Sequence, residues 1–165
     1  MRVLLDTSTL NWLADSPVQA SVFFAARAAG RFEAVVVPEA AWEIRKTRDA
    51  ARRAMLEATL AQFFPLTPTR VPRLGTTAIL GLMRLPTAED EARLAKVAFL
   101  RDGPDRDLVV NAAGYRVDFF LTRDGEMYEE KLVQLEPELG GTRILHPAEF
   151  LAQLDSPGTR AGETL

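Results

Sequence analysis

Four short runs of apolar, often β-branched residues recur along the chain and are separated by longer segments of helical character. The runs are RVLLD at 2–6, AVVVP at 34–38, VDFFLT at 117–122 and TRILHP at 142–147. Their apolar residues are continuous rather than alternating, which is typical of strands covered by helices on both faces. Because the runs alternate with helical segments, we predict an α/β fold. The expected architecture is a three-layer α/β/α sandwich around a central, mostly parallel sheet.

The segments between the runs carry helix signals. Residues 16–30 begin with Ser-Pro and end at Gly30, which favours a helix with a cap at each end. Residues 39–62 are rich in alanine and lack helix breakers, so they are predicted to be helical. Thr87 followed by Asp90 three positions later is a variant of the capping box. Further helices are expected over 107–115 and 126–135.

One internal stretch and the C-terminus are less regular. Residues 65–86 contain four prolines, and we predict a short edge strand or extended loop there, followed by a brief helix around 76–85. The length of 165 residues is most simply one domain, assigned to residues 1–154. Residues 155–165 have little to bury and are expected to form a mobile tail.

The composition excludes several classes of protein. No apolar run approaches the ~18 residues of a membrane span, and no basic-then-apolar leader is evident, so we expect a soluble, cytoplasmic protein without a membrane partner. The chain has no cysteine and one histidine, which disfavours disulfides and zinc sites built from thiolates or imidazoles. The net charge of −3 argues mildly against a broad nucleic-acid-binding surface, although segregated charge could still provide one.

Acidic residues stand at or just after the ends of the predicted strands. Asp6 closes the first run, Glu43 follows VVVP, and Asp124 follows FFLT. Asp107 opens a later helix, with Asp105 two residues earlier as the alternative. Parallel sheets place their working surface at the carboxyl ends of the strands. Carboxylates gathered there would repel unless a cation neutralised them, and oxygen ligands favour one or two Mg²⁺ or Mn²⁺ ions.

Each of these carboxylates also has a purely structural interpretation. Asp6 could cap the helix that begins near Thr9. Asp107 could simply sit favourably at a helix N-terminus, and Asp124 could belong to an ordinary turn. Glu43 could be a solvated helix residue. These alternatives stay open at the level of the single residue.

The order of the motifs resembles a PIN domain. LLDTSTL at the start, an acidic residue in the helix after VVVP, DLVVNAAGYRVDFFLTRD and the closing ILHPAEF carry the resemblance. The nearest branch is the VapC-like toxin ribonucleases of bacterial and archaeal toxin–antitoxin pairs. The resemblance runs from residue 2 to about residue 151 and is weak across 63–100. It implies a flap-endonuclease-like fold, an endoribonuclease that cleaves RNA with metal-activated water, and an antitoxin partner.

The resemblance also implies residue roles. The acidic quartet of the family, which is catalytic and binds the metal, falls on Asp6, Glu43, Asp107 and Asp124. Ser8 occupies the position of a residue that fixes the first carboxylate, and Thr122 matches a hydroxyl residue that orients the last one. The match of DLVVNAA favours Asp107 over Asp105. The chain is longer than the compact toxins, through its proline-rich middle, so the subfamily stays open.

A basic run follows the second acidic position. Arg45, Arg48 and Arg52 have the i, i+3, i+7 spacing of one helix face. This face could be merely solvated. It could instead bind RNA phosphates along a path from Glu43, or dock an acidic antitoxin segment.

Aromatic residues and the single histidine receive structural interpretations. Trp12, Phe23, Phe24 and Trp42 are expected to build a core or a dimer contact rather than a base-stacking platform, and we predict a homodimer. His146, which precedes a proline, is expected to be structural.

Other functions compete with the nuclease. A PIN-like scaffold that binds RNA or protein without catalysis is the main alternative. A phosphatase of the haloacid dehalogenase type needs a second aspartate where this chain has Ser8. A response-regulator receiver domain needs a phospho-accepting aspartate after the third strand and a later lysine, and neither is evident.

Overall fold

The structure, a computed structural model, describes residues 1–65, 86–100 and 103–155, apart from the side chain of Phe64. The helix predicted around 76–85 and the tail beyond residue 155 lie outside these residues. Both stay predictions, as does the assignment of a single domain.

The strands pair into one sheet. They are β1 (Arg2–Leu5), β2 (Glu33–Val36), β3 (Phe64–Pro65), β4 (Phe119–Leu121) and β5 (Arg143–Leu145). Their order is β3-β2-β1-β4-β5, and all of these pairings are parallel. The predicted α/β class and parallel sheet are confirmed, with strands somewhat shorter than the apolar runs. The two-residue β3 lies at an edge of the sheet and includes only the first residue of the stretch 65–86. The short edge strand or extended loop predicted for that stretch falls mostly on residues 66–85, outside the described residues, and stays a prediction.

Helices fill the connections between the strands. They are α1 (Thr7–Asp15), α2 (Pro17–Ala28), α3 (Pro38–Arg45), α4 (Ala50–Leu60), α5 (Ala88–Lys96), α6 (Gly103–Gly114), α7 (Leu132–Leu135) and α8 (Pro147–Asp155). A π-helical turn, Glu126–Glu130, precedes α7, and a 3₁₀ turn, Glu136–Leu139, follows it. Within the described residues, no helix is long and apolar enough to cross a bilayer.

The sheet separates two apolar cores. Along β1, Val3 and Leu5 belong to one core and Leu4 to the other, as the alternating pleat of a strand requires. The first core is completed by α1 to α4 and α8, and the second by α6, α7 and two residues that follow α5, Val97 and Leu100. Helices therefore cover both faces, which explains why the apolar runs are continuous and is compatible with a three-layer sandwich.

An aromatic cluster fills the first core. Phe23 packs edge-to-face on Phe32 with ring centroids 4.9 Å apart, and Phe32 packs on Phe150 at 5.1 Å. Trp12 and Phe23 are buried, and Phe24 is half-buried against the same core. The homodimer was expected because these side chains exceeded the needs of one sheet face. They are instead accounted for within a single chain, so this basis for a dimer is lost.

Residues 39–62 form two helices rather than one. α3 ends at Arg45, and Asp49 caps α4 by accepting the backbone N–H of Arg52 at 2.7 Å. Arg48 lies in the connection between the helices. The prediction that the three arginines share one helix face is therefore wrong, because aspartate is a strong N-cap residue that starts a new helix.

Other helix ends agree more closely with the sequence. Gly30 follows α2 with φ +72°, the left-handed conformation that favours glycine at a helix end. Ser16 precedes Pro17 as expected, but its side chain makes no capping hydrogen bond. The capping box of Thr87 and Asp90 is present at α5. The helix predicted over 126–135 is divided between the π-helical turn and α7.

Candidate functional site

The strand order reverses at β1. The connections from β1 through β2 to β3 contribute to the first core, whereas α6 and α7, which flank β4 in the chain, contribute to the second. Such a reversal opens a crevice outside the carboxyl ends of the two strands at the switch, here β1 and β4. Asp6 directly follows β1, and the segment Thr122–Asp124 directly follows β4.

Asp6 is a helix cap and a site residue at once. Its Oδ1 accepts the backbone N–H of Thr9 at 2.9 Å, which caps α1. Its Oδ2 accepts a hydrogen bond from the hydroxyl of Thr122 on the far side of the crevice. Only 5% of Asp6 is exposed. The capping interpretation is confirmed, and it uses one carboxylate oxygen while the other lies toward β4.

Burial controls the ionisation of Asp6. It raises the pKa of this carboxyl above 3.8, because water no longer solvates the charged form. Hydrogen bonds from Thr122, Ser8 and the backbone of Thr9 act in the opposite direction, since they favour the carboxylate. A buried carboxylate of this kind is stabilised in its charged form by a nearby cation.

Thr122 connects the first and last acidic positions. Its side chain is fully buried. Besides donating to Asp6, its Oγ1 accepts the backbone N–H of Asp124 at 3.0 Å. Asp124 is half-buried, and its Oδ1 accepts the backbone N–H of Glu126 at 2.8 Å, so it also begins the π-helical turn. Thr122 thus holds the backbone of Asp124 and the carboxylate of Asp6. That it orients the carboxylate of Asp124 stays a prediction.

Glu43 reaches the same region from α3. The hydroxyl of Thr7 donates to Glu43 Oε2, which joins Glu43 to the residue next to Asp6. Glu43 is half-buried. The sequence reasoning assigned no role to Thr7, although its place among the three consecutive hydroxyl residues after Asp6 was a usable signal.

Ser8 joins α1 to the segment after β4. Its Oγ accepts the backbone N–H of Arg123 at 2.7 Å and lies 3.5 Å from the hydroxyl of Thr122. It also contributes hydrogen bonding that favours the charged form of Asp6. Ser8 therefore lies beside the first carboxylate and favours its charged form. The role that the resemblance implies for it stays a prediction.

Asp107 lies one turn inside α6, which begins at Gly103, so the prediction that it opens this helix is wrong. Its position follows from the direction of the helix. This helix ends at Gly114, shortly before β4 begins at the amino edge of the sheet. Seven residues back along the helix correspond to about 10 Å, which is also about the length of a three-residue strand. Asp107 therefore lies at the height of the carboxyl edge. It is 6% exposed, whereas Asp105 is half-buried.

The donor set is compatible with a hard cation but is not assembled around one. All the candidate ligand atoms are carboxylate oxygens, which suit Mg²⁺ or Mn²⁺ better than zinc. Across the described ranges, no three histidine, aspartate or glutamate side chains lie close enough to hold a metal ion. Hydroxyl groups hold these residues instead. The hydroxyl of Thr122 donates to the Asp6 carboxylate and accepts the backbone N–H of Asp124, and the hydroxyl of Thr7 donates to the Glu43 carboxylate.

The arginines of the basic run differ in their environment, because one of them is engaged within the chain and two are exposed. Arg52 donates to both carboxylate oxygens of Asp15 and to Asn11 Oδ1 at 2.7 Å, so it ties α4 to α1. Arg45 and Arg48 are exposed. The adjacent Lys46 lies over the ring of Trp42 with its Nζ 2.9 Å from the ring centroid. The RNA-binding prediction therefore narrows to the exposed arginines, Arg45 and Arg48.

A separate cavity of about 520 Å³ lies at the amino edge of the sheet. Its lining includes Arg2, Glu33 and Asp118. Arg2 pairs with Glu33 through its side chain at 3.0 Å and with Asp118 through its backbone N–H at 2.6 Å. Because parallel sheets bind ligands at their carboxyl edge, the acidic crevice is the stronger candidate.

No family model, curated protein or solved structure matches this chain. Its function is therefore inferred from its own residues and geometry.

Proposed function

We propose that this protein is a metal-dependent endoribonuclease with a PIN-like, flap-endonuclease-like fold, and that it is the toxin of a toxin–antitoxin pair. The observation that best supports this proposal is that acidic residues at the switch point of the sheet are held by the hydroxyl groups of Thr122 and Thr7. Asp6 and Asp124 share Thr122, and Glu43 is bound to the neighbour of Asp6. Three separate chain segments thus place an acidic residue within a short series of hydrogen bonds around Asp6 and its neighbour Thr7, which a helix cap alone does not require.

The proposed ligands are Asp6, Glu43, Asp107 and Asp124, with one or two Mg²⁺ or Mn²⁺ ions as the cofactor. Such ions withdraw charge from a phosphodiester and lower the pKa of a bound water. No protein nucleophile is needed for this chemistry, which suits a chain without cysteine.

The protein groups supply position and charge. Asp6 is held by hydrogen bonds to both of its carboxylate oxygens, so it does not have to reorganise when a ligand binds. Asp124 is fixed in the same way by the backbone of Glu126. The exposed Arg45 and Arg48 lie just beyond Glu43 along the chain. They would bind RNA phosphates or an acidic segment of an antitoxin.

The test is cleavage of a pooled RNA substrate as a function of Mn²⁺ concentration, by wild type and by Asp6→Asn. We expect wild type to cleave only with the metal and Asp6→Asn to show no cleavage above the metal-free background. Asp118→Asn is the matched control, because it removes an exposed aspartate at the opposite edge of the sheet. It should cleave as wild type does.

Two results would contradict the proposal. Cleavage that survives in Asp6→Asn would indicate a contaminating nuclease or a site elsewhere. RNA binding by wild type without cleavage at any Mn²⁺ or Mg²⁺ concentration would favour the alternative, a PIN-like domain that binds RNA or protein without catalysis.

A further inference from the structure

Two rings of moderate exposure lie beside the acidic crevice. Tyr128 belongs to the π-helical turn after β4, and His146 directly follows β5. Their ring centroids are 5.5 Å apart with the planes tilted by 52°. The buried Trp12 packs edge-on against His146 at 6.4 Å and supports it from below the surface. Tyr128 and His146, both half-buried, are called the ring pair here.

The ring pair is one turn away from the acidic residues. The backbone N–H of Tyr128 donates to the carbonyl oxygen of Asp124 at 3.1 Å, and residues so spaced lie roughly 6 Å apart. The backbone N–H of Thr122 donates to the carbonyl of Leu145 at 3.2 Å, next to His146. A nucleotide whose phosphate lies at the acidic crevice therefore brings a neighbouring base within reach of the rings.

His146 is held in one orientation and is uncharged. Its Nδ1 accepts the backbone N–H of Ala148 at 3.2 Å, a capping bond at the start of α8 that fixes the ring. This bond assigns the ring proton of the neutral form to Nε2. Burial lowers the pKa of His146 and the charge of Arg123 lowers it further, so the imidazole is neutral at neutral pH. A neutral, fixed ring is suited to stacking.

The charges around the ring pair favour a base over a phosphate. The carboxylates of Glu129 and Glu149 lie near both rings, and they would repel a phosphate placed directly on them. Arg123 is exposed, acts electrostatically on both rings, and connects Thr122 to Asp124 in the chain. A phosphate beside the positive Arg123 is attracted to it, and an uncharged base on the rings is not repelled by the two glutamates.

We infer that Tyr128 and His146 form a stacking subsite for one base of single-stranded RNA, next to the scissile phosphate, and that Arg123 contacts the adjoining backbone. This inference rests on the proposed function and names a recognition element for it. Aromatic platforms of this kind bind single strands with little dependence on sequence, because every base has a π-face.

The test compares binding of two labelled ligands by fluorescence anisotropy, with Ca²⁺ in place of Mg²⁺. One ligand is hexauridylate, and the other is the same ribose-phosphate hexamer without bases. Wild type should bind hexauridylate about 10-fold more tightly, the effect expected of one base–aromatic stack. Tyr128→Leu keeps apolar volume without a π-face, and His146→Asn keeps a capping acceptor without a ring. Each should bring the ratio close to one.

Two further variants separate the contribution of base stacking from that of phosphate binding. Tyr115→Leu makes the same change in the other tyrosine, which follows α6 at the amino edge, and should keep the wild-type ratio. Arg123→Gln should weaken both ligands equally, since both retain phosphates. Thermal melts of each variant exclude misfolding.

An unchanged ratio in both Tyr128→Leu and His146→Asn would overturn the inference, as would a wild type that does not distinguish the ligands. If wild type still cleaves RNA in a manner that depends on Asp6, only the stacking subsite fails. If wild type neither binds the hexamers nor cleaves RNA, the proposed function fails with it.

Discussion

For Asp6, the protonation state that favours folding differs from the one that metal binding requires. Its carboxyl group is buried, and burial disfavours the charged form that a metal would need. The sequence suggested that repulsion among carboxylates would make this charge costly, whereas the structure indicates that loss of hydration is the leading cause.

Asp6→Asn should therefore stabilise the metal-free protein. Asparagine keeps an oxygen that can cap α1, its amide can donate to Thr122 Oγ1 in place of the bond that the carboxylate accepts, and it carries no charge to bury. Its advantage over wild type should therefore appear where Asp6 of wild type is charged. Because the folded pKa of Asp6 lies above 3.8, the protonated carboxyl group favours the folded state of wild type at low pH. Wild type loses this stability as the pH rises from 3.8 through the folded pKa. Urea unfolding between pH 4 and 8 should show a gap between the two proteins that widens with pH. A gap independent of pH, or equal in Asp118→Asn, would contradict the account.

Thr122 offers a second test at the scale of the residue. Thr122→Val keeps the shape but leaves a buried oxygen of Asp6 and the N–H of Asp124 without this partner. Such losses cost ~1–3 kcal/mol each. Thr122→Ser keeps the hydroxyl and should be the milder change in urea unfolding. A serine variant at least as destabilised as the valine variant would mean that the methyl group, not the hydroxyl, is what matters.

At the scale of the element, helices were easier to predict than their junctions. Ser-Pro at one end and Gly30 at the other identified α2, and the capping box identified α5. The break between α3 and α4 was missed because alanine-rich sequence hides it and only Asp49 marks it. Two of the hydroxyl contacts in the site, from Thr7 and Thr122, join residues far apart in the chain, so spacing alone could not reveal them.

The ion pair between Asp15 of α1 and Arg52 of α4 should contribute only modestly to stability. Asp15 is half exposed, with 52% of its side chain accessible, and Arg52 is 26% accessible, so water screens their attraction. A double-mutant cycle of Arg52→Ala and Asp15→Ala should give a coupling of about 0.2–1 kcal/mol. Arg52 lowers the pKa of Asp15 below 3.8, so the coupling is present above that pH and is lost as the pH falls through the folded pKa. A coupling that shows no decrease as the pH falls below 3.8 would show that the contact is not an ion pair.

Arg45, at the end of α3, and Arg48, between α3 and α4, should contribute to RNA binding, whereas Arg52 should not. The double variant Arg45→Glu/Arg48→Glu should weaken binding of single-stranded RNA and reduce the slope of log K against log salt by about 1.4, from two lost phosphate contacts at ~0.7 each. Arg52→Gln should leave the slope unchanged, because Arg52 is engaged with Asp15. Equal slopes in wild type and the double variant would identify this surface as merely solvated.

At the scale of the whole molecule, the strand order gives the site its place. The continuous apolar runs predicted a parallel sheet. Asp6 and Asp124 were recognised as candidate site residues because they follow the ends of predicted strands. The reversal of order at β1 could not be deduced from the sequence, since local patterns do not say which strands pair. That reversal brings the residues after β1 and β4 together, and α6 runs back toward the same edge with Asp107.

The most direct test of the central claim is the shift that Mn²⁺ produces in the melting temperature of wild type, Asp6→Asn and Asp118→Asn. At a metal concentration about 100 times the dissociation constant, binding adds about 2.7 kcal/mol, or roughly 5–10 °C for a domain of this size. We predict this shift in wild type and in Asp118→Asn, and its loss in Asp6→Asn. Equal shifts in all three proteins, or none in wild type, would mean that Asp6 is only a helix cap and that the crevice is not a metal site.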